Sequence, residues 1–229
     1  MPVDQAAYQE LKKYCEARGV QLIAVSKTKP NEDILALYAS GHRDFGENYV
    51  QELIKKQAEL PEDMHWHFIG HLQSNKVKYI APFVALIHGV DSLKLLQAID
   101  KEAKKCNRVI PCLLQVHVAK EETKFGFDRN ELRSAATEIF LEKKFPHVSV
   151  VGLMGMASFT EDQQIIHSEF IQLKSMFDEI RNTYQEEGSQ FNILSMGMSS
   201  DYKMAIDCGS TMIRVGSTIF GVRSYNVNS

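Results

Sequence analysis

Four cysteines and no C-x-x-C pair leave this sequence without the pattern of a zinc ribbon, a redox dithiol or a disulfide-stapled domain. Cys15, Cys106, Cys112 and Cys208 are scattered, as expected of reduced and mostly packed thiols. Charge of one sign is equally scarce. A formal net charge of −3 provides no basic field to hold nucleic acid or an anionic membrane surface. Long hydrophobic runs are missing too, since the nearly apolar stretches 81–87 and 148–157 fall well short of a bilayer span. The amino terminus, Met1-Pro2-Val3-Asp4-Gln5, lacks the basic-then-apolar order of a secretory leader. No Pro-, Gly- or Ser-rich linker and no low-complexity tract divides the chain. With 44% hydrophobic and 24% charged residues among 229, these absences predict one cytoplasmic domain, residues 1–229, able to bury a sizeable core.

What is present is alternation. Apolar strand-like runs follow amphipathic helical stretches in the order of an α/β fold with a parallel sheet. A helix is predicted over 4–18, with Asp4 as N-cap and Gly19 as its stop. Strands are predicted at 21–26, around Phe45, at 65–69, within 83–89, and at 111–118, 148–153, 191–195 and 211–215. Helices are predicted after Pro30-Asn31, over 48–59, near 75–79, over 92–105, from about Asp128, and over 161–184. The helix over 92–105 carries Leu93, Leu96, Ile99 and Ala103 on one face. The helix over 161–184 repeats Ile166, Phe170, Leu173, Phe177, Ile180 and Tyr184 at steps of four and three, which reads as core packing rather than a coiled-coil seam. Eight strand-then-helix units suggest a closed (β/α)₈ barrel with its sites at the C-terminal strand ends, an open doubly wound sheet being the alternative.

Three segments carry chemistry. Residues 22–30 read as a buried strand running into a turn, and strand alternation puts Lys27 on one face with Val25 and Ile23. An ammonium on an apolar face is costly unless paired or deprotonated, and a neutral amine at a barrel mouth is what imine formation with an aldehyde requires. The bland reading is a lysine that snorkels to a carboxylate; Lys29, already in the turn, is the competing amine. The second segment, Leu194-Ser195-Met196-Gly197-Met198-Ser199-Ser200-Asp201, places small and hydroxyl residues ahead of a helix, and Arg214-Val215-Gly216-Ser217-Thr218 repeats the theme. Exposed backbone N–H groups and hydroxyls there suit a phosphate, as in the last two loops of many barrels, although Ser199 or Ser200 as N-caps and Gly216 as a turn would also account for them. The third feature is Arg214, a charge within the apolar eighth strand, which needs either a salt-bridge partner or a ligand.

Ala24-Val25-Ser26-Lys27-Thr28-Lys29-Pro30, Phe45-Gly46-Glu47-Asn48-Tyr49-Val50-Gln51-Glu52 and Trp66-His67-Phe68-Ile69-Gly70-His71-Leu72-Gln73 stand in order along the chain. With Gly152-Leu153-Met154 and the tail from Leu194 through Gly221, they resemble the pyridoxal phosphate homeostasis protein family, relatives of the barrel domain of alanine racemase. The resemblance implies a monomeric TIM-like barrel of the alanine racemase N-terminal type, without that enzyme's additional C-terminal β-domain. It implies pyridoxal 5′-phosphate (PLP) held as a Schiff base on Lys27, with Asn48 near the ring and Arg214 at the ring nitrogen. Ser199, Gly216 and Ser217 would hold the phosphate, with Ser200 a neighbouring candidate; Ser217 replaces a threonine common in relatives but keeps a hydroxyl. A role in vitamin B6 homeostasis is implied, storing PLP or supplying it transiently to apo-enzymes, without catalytic activity. An always-protonated arginine leaves the ring nitrogen unprotonated, which makes the ring a poorer electron sink. The sequence stops at Ser229, soon after the eighth strand, so the second base that racemisation draws from an extra domain is not expected. The rival readings are a weakly active PLP-dependent amino-acid racemase, and a barrel that binds another phosphorylated metabolite with no imine.

Other constellations are read as structural. His65-Trp66-His67 puts two imidazoles on one strand face and His117 could be a further ligand, but His147 falls at the wrong strand end and no carboxylate closes the eighth strand, so no metal is expected. Lys76, Lys78, Lys120 and Lys124 read as a solvated rim, the alternative being a cationic path or second anionic site. Met154, Met156, Met196 and Met198 read as adaptable packing near strand ends.

Overall fold

The computed structural model of the chain describes residues 3–119, 125–184 and 190–221. The Asp4 side chain accepts from the Ala7 N–H and opens α1 (Gln5–Glu16), which buries Tyr8, Leu11 and Cys15 at helical spacing. Gly19, at φ +65°, turns the chain after it. Strands and helices then alternate: β1 (Gln21–Val25), α2 (Asn31–Ala39), β2 (Asp44–Glu47), α3 (Val50–Glu59), β3 (His65–Phe68), α4 (Val77–Ile80), β4 (Leu86–Val90) and α5 (Leu93–Lys105). The second half continues with β5 (Ile110–Gln115), α6 (Arg129–Ala136), β6 (Val148–Met154), α7 (Gln163–Thr183), β7 (Ile193–Ser195), α8 (Tyr202–Asp207), β8 (Met212–Val215) and α9 (Ser217–Phe220).

Every strand pairs in parallel with its sequence neighbour, and β8 pairs back onto β1, with Gln21 opposite Met212 and Ile23 opposite Arg214. The sheet is therefore a closed barrel and not an open doubly wound sheet. Its apolar residues divide into two clusters. The larger lies between strands and helices and takes in Leu22, Ala24, Phe45, Trp66, Leu114, Leu153 and the α7 row Ile166, Phe170, Leu173, Phe177 and Ile180. At about 1.5–3 kcal/mol for each fully buried large side chain, this outer layer is the main source of stability. The smaller cluster, Ile23, Leu86, Leu113, Val151, Met154 and Met212, lies inside the barrel, where polar side chains take much of the remaining space.

The departures from the predicted elements have local causes. β7 begins at Ile193 and not at Phe191, because the Phe191 ring packs between Phe140 and Phe177 in the outer core. β5 ends at Gln115; past it Val116 makes only an isolated bridge with Phe127, while Gln115 Nε2 donates to the Phe125 carbonyl. β4 runs one residue beyond its predicted end, to Val90, with a register shift against β5. A 3₁₀ turn, Ser74–Lys76, precedes α4, and a π-helical turn, Thr137–Leu141, follows α6. Asp128 starts α6 through a capping box with Glu131. Among the described residues no helix is long and apolar enough to cross a membrane.

Candidate functional site

A cavity of about 860 Å³ opens at the C-terminal end of the barrel, the end where strand termini and following loops converge. Its wall includes Lys27, Asn48, Ser199, Ser200, Arg214, Gly216 and Ser217, so the candidate residues, distant in sequence, meet around one space. Lys27 follows β1 on the side of Val25, which also lines the cavity, while Ile23 two residues earlier packs inside the barrel. The half-buried Lys27 thus continues the inner face of β1 into the cavity. Lys29 lines the same cavity, but its ammonium donates to the Phe220 carbonyl at 2.8 Å.

A charged cluster behind β1 clamps the backbone on both sides of Lys27. The buried Lys56 ammonium donates to the Ser26 carbonyl at 2.8 Å, to Glu47 Oε1 at 2.8 Å and to Glu52 Oε1 at 2.7 Å. The Ser26 hydroxyl donates to the same Glu47 oxygen at 2.5 Å, and the Thr28 N–H donates to Glu52 Oε1 at 2.6 Å. Thr28 sits at φ +64°, a conformation that a β-branched residue rarely adopts without enforcement from its surroundings. Burial raises the Glu47 carboxyl above its usual range despite the neighbouring Lys56 charge. Of this cluster, only the Glu52-to-Lys56 spacing of four is visible as a helical ion pair in the sequence; Glu47 joins it through strand pairing.

The opposite wall is built by β7, β8 and the loops after them. Gly197, at φ +96°, turns the chain where an added Cβ would lie 2.6 Å from the Ala205 Cβ. Neither Ser199 nor Ser200 caps α8; Asp201 precedes that helix and its Oδ1 accepts from the Met198 N–H at 2.6 Å. The Gly216 N–H reaches Ser199 Oγ at 3.3 Å, which ties the two loops together. Because α8 has six residues and α9 four, the polar character of this wall comes from backbone N–H groups and hydroxyls rather than from a long helix dipole.

Arg214 is buried on the inner side of β8. Its guanidinium donates to Ser195 Oγ at 2.6 Å and to the Gly155 carbonyl at 3.2 Å, both neutral partners. Burial lowers it to about 10, with the Asp201 charge opposing, so it remains a cation at neutral pH. Asn48 follows β2, and its Oδ1 is buried with no hydrogen-bond partner among the described residues. An orphaned acceptor of that kind costs free energy unless a bound group donates to it.

His65 and His67 both turn to Asp44 Oδ1, at 3.1 and 3.2 Å, and no metal-holding group of three ligands occurs among the described residues. Lys76 and Lys78 lie beside the Tyr79 ring, whereas Lys120 and Lys124 fall outside the described residues. Met154 and Met196 are buried, while Met156 and Met198 line the cavity.

The sequence profile of the alanine racemase N-terminal domain matches residues 5–224. The chain is 37% identical over 227 residues to the pyridoxal phosphate homeostasis protein of Pasteurella multocida, covering 97% of this chain and 94% of that one. It is 40% identical over 223 residues to the protein of the same name from Aquifex aeolicus, covering 95% of each. Among solved structures, PipY of Synechococcus elongatus PCC7942 with PLP bound superposes with a TM-score of 0.82 at 37% identity, over 94% of this chain and 100% of that one. The alanine racemase of Bartonella henselae, with covalently bound pyridoxal phosphate, superposes with a TM-score of 0.69 at 17% identity, over 96% of this chain and 60% of that longer chain. At that identity the likeness is one of fold.

Proposed function

The chain belongs to the pyridoxal phosphate homeostasis protein family, and from that premise we propose that it binds PLP in the cavity at the C-terminal mouth and serves to hold and supply the cofactor. The observation that carries the reading is the convergence of a half-buried lysine, a buried arginine and a paired-loop hydroxyl wall on one cavity.

In this reading the Lys27 amine makes the covalent imine link to the cofactor's aldehyde, with loss of water, and the clamp of Lys56, Glu47 and Glu52 keeps that amine aimed. Ser199, Gly216 and Ser217, with Ser200 beside them, hold the phosphate by hydroxyls and backbone N–H groups. Asn48 lies against the ring. Arg214, able only to donate, faces the pyridine nitrogen and keeps it unprotonated. Bound PLP supplies an aldehyde for imine chemistry and a ring that can accept negative charge, and Arg214 restrains the second capacity. The proposal is accordingly a non-catalytic, monomeric cytoplasmic carrier comprising residues 1–229 as one PLP-binding unit, which meets apo-enzymes transiently.

Borohydride reduction of the PLP-loaded protein followed by peptide mapping tests the reading. The expected label is on Lys27, with visible absorption lost in Lys27→Ala. A label on Lys29, or none, refutes the assignment. Incubation with L-amino acids in heavy water is expected to give no steady α-proton exchange above free PLP; exchange abolished by Lys27→Ala would make the protein an enzyme.

A further inference from the structure

A file of polar side chains crosses the barrel interior from the opposite mouth to Arg214. Asp44 opens β2 at the N-terminal end, beside a second cavity of about 420 Å³ whose wall also includes His65 and His67. His67 Nε2 lies 3.2 Å from Asp44 Oδ1, and His67 Nδ1 lies 3.1 Å from His88 Nε2. His88 Nδ1 lies 3.3 Å from Ser195 Oγ, which accepts from Arg214 at 2.6 Å. His88 and Ser195 are fully buried, and His67 and Arg214 nearly so. Barrel interiors are ordinarily filled by apolar layers, and buried polar groups are tolerated only when each donor finds an acceptor.

The two ends fix the direction of the whole file. A guanidinium can only donate, so Ser195 Oγ accepts from Arg214. Burial alone would raise the Asp44 carboxyl, but hydrogen bonds from His67 and His65 outweigh it and hold it low, so this carboxylate only accepts and His67 Nε2 donates. Burial, reinforced by the Arg214 charge, lowers His88 well below the usual imidazole range and keeps it neutral. One arrangement then satisfies every proton: Ser195 O–H donates to His88 Nδ1, His88 Nε2–H to His67 Nδ1, and His67 Nε2–H to Asp44. The reverse order would make Ser195 accept twice, leave its own hydroxyl proton without an acceptor among the described residues, and add a second cation to a barrel that already holds Arg214.

We propose that Asp44, His67, His88 and Ser195 are positioning residues whose one-way hydrogen-bond file sets how Arg214 presents its N–H groups to the cofactor's pyridine nitrogen. The proposal rests on the PLP reading above. In it, an atom at one mouth of the barrel tunes the ligand at the other without touching it.

NMR of the unliganded protein carrying ring-¹⁵N histidine reads the direction independently of the cofactor. His67 and His88 are both expected as Nε2–H tautomers, and an Nδ1–H tautomer at His88 overturns the proposal. With PLP loaded, Ser195→Ala is expected to release cofactor roughly tenfold faster, the loss of one charge-assisted hydrogen bond. Asp44→Asn and His67→Gln, which alter the far end of the file, are expected to shift the visible absorption band and speed release several-fold. If both leave band and release at native values while Arg214→Ala changes them, the file is only packing and the proposal fails. An Arg214→Ala protein with native release overturns the role of Arg214 and the proposal together. Absence of the Lys27 label brings down the cofactor reading and this proposal with it, and the tautomers then show whether the file itself survives.

Discussion

Replacing Lys56 by methionine isolates the clamp behind Lys27, because methionine keeps the bulk of the stem and removes the charge. The Lys56 side chain is buried, and its ammonium offsets Glu47, whose side chain is fully enclosed and whose Oε2 has no partner among the described residues. Taking away one member of a buried pair strands the other charge, which costs about 3–5 kcal/mol. In a protein of this size that lowers the melting temperature by about 6–20 °C. The sign with pH follows from Glu47. Its carboxyl is already raised by burial, so the folded state holds a proton more firmly than the unfolded chain, and the associated stability is present at low pH and lost as pH rises through the folded value. Without Lys56 that rise is larger, so the penalty is greatest at neutral pH and shrinks in mild acid. Urea unfolding of apo protein followed by circular dichroism at pH 5 and pH 7 measures both effects. The double variant Lys56→Met/Glu47→Gln should recover much of the neutral-pH loss, since the fully enclosed charge is gone and the remaining partner, Glu52, reaches solvent. A single-variant loss below about 1 kcal/mol at both pH values, or no recovery in the double variant, would refute the clamp as a charge-balanced unit.

Two further outcomes follow from the packing. An alanine Cβ at Gly152 would sit 1.7 Å from the Ile193 carbonyl oxygen, so Gly152→Ala should push β6 from β7 and cost about 4 kcal/mol or more; a variant melting within a few degrees of the native protein would contradict the strand contact. Iodoacetamide at neutral pH should modify the half-buried Cys106 first, because burial pushes Cys15 up to about 11 and also raises Cys112 and Cys208; mass spectrometry showing rapid labelling at Cys112 would contradict the core placement.

Much of the site could be read from the chain because it lies where strands end. Lys27, Arg214 and the Ser199 and Gly216 loops were legible as a strand-end amine, a charge in an apolar strand and two small-residue turns. Asn48 came from the resemblance, since nothing in its local pattern marks it, whereas Ser217 was legible as a hydroxyl of the second turn. The clamp and the histidine file escaped for a different reason. Glu47, Lys56, His67, His88 and Ser195 each look ordinary in a five-residue window, and apart from Glu52, four residues before Lys56, their partners are 9 to 107 positions away.

Periodicity, turn residues and the alternation of strand with helix are local quantities, so the linear order of residues was enough to specify the elements, their parallel sense and the end of the barrel that carries the cavity. Closure of the sheet, and the side of each strand on which a buried charge meets its counter-charge, depend on register between segments far apart in the chain. Only the folded barrel settles those, because a hydrogen bond is decided by tenths of an ångström between atoms that the sequence does not bring together.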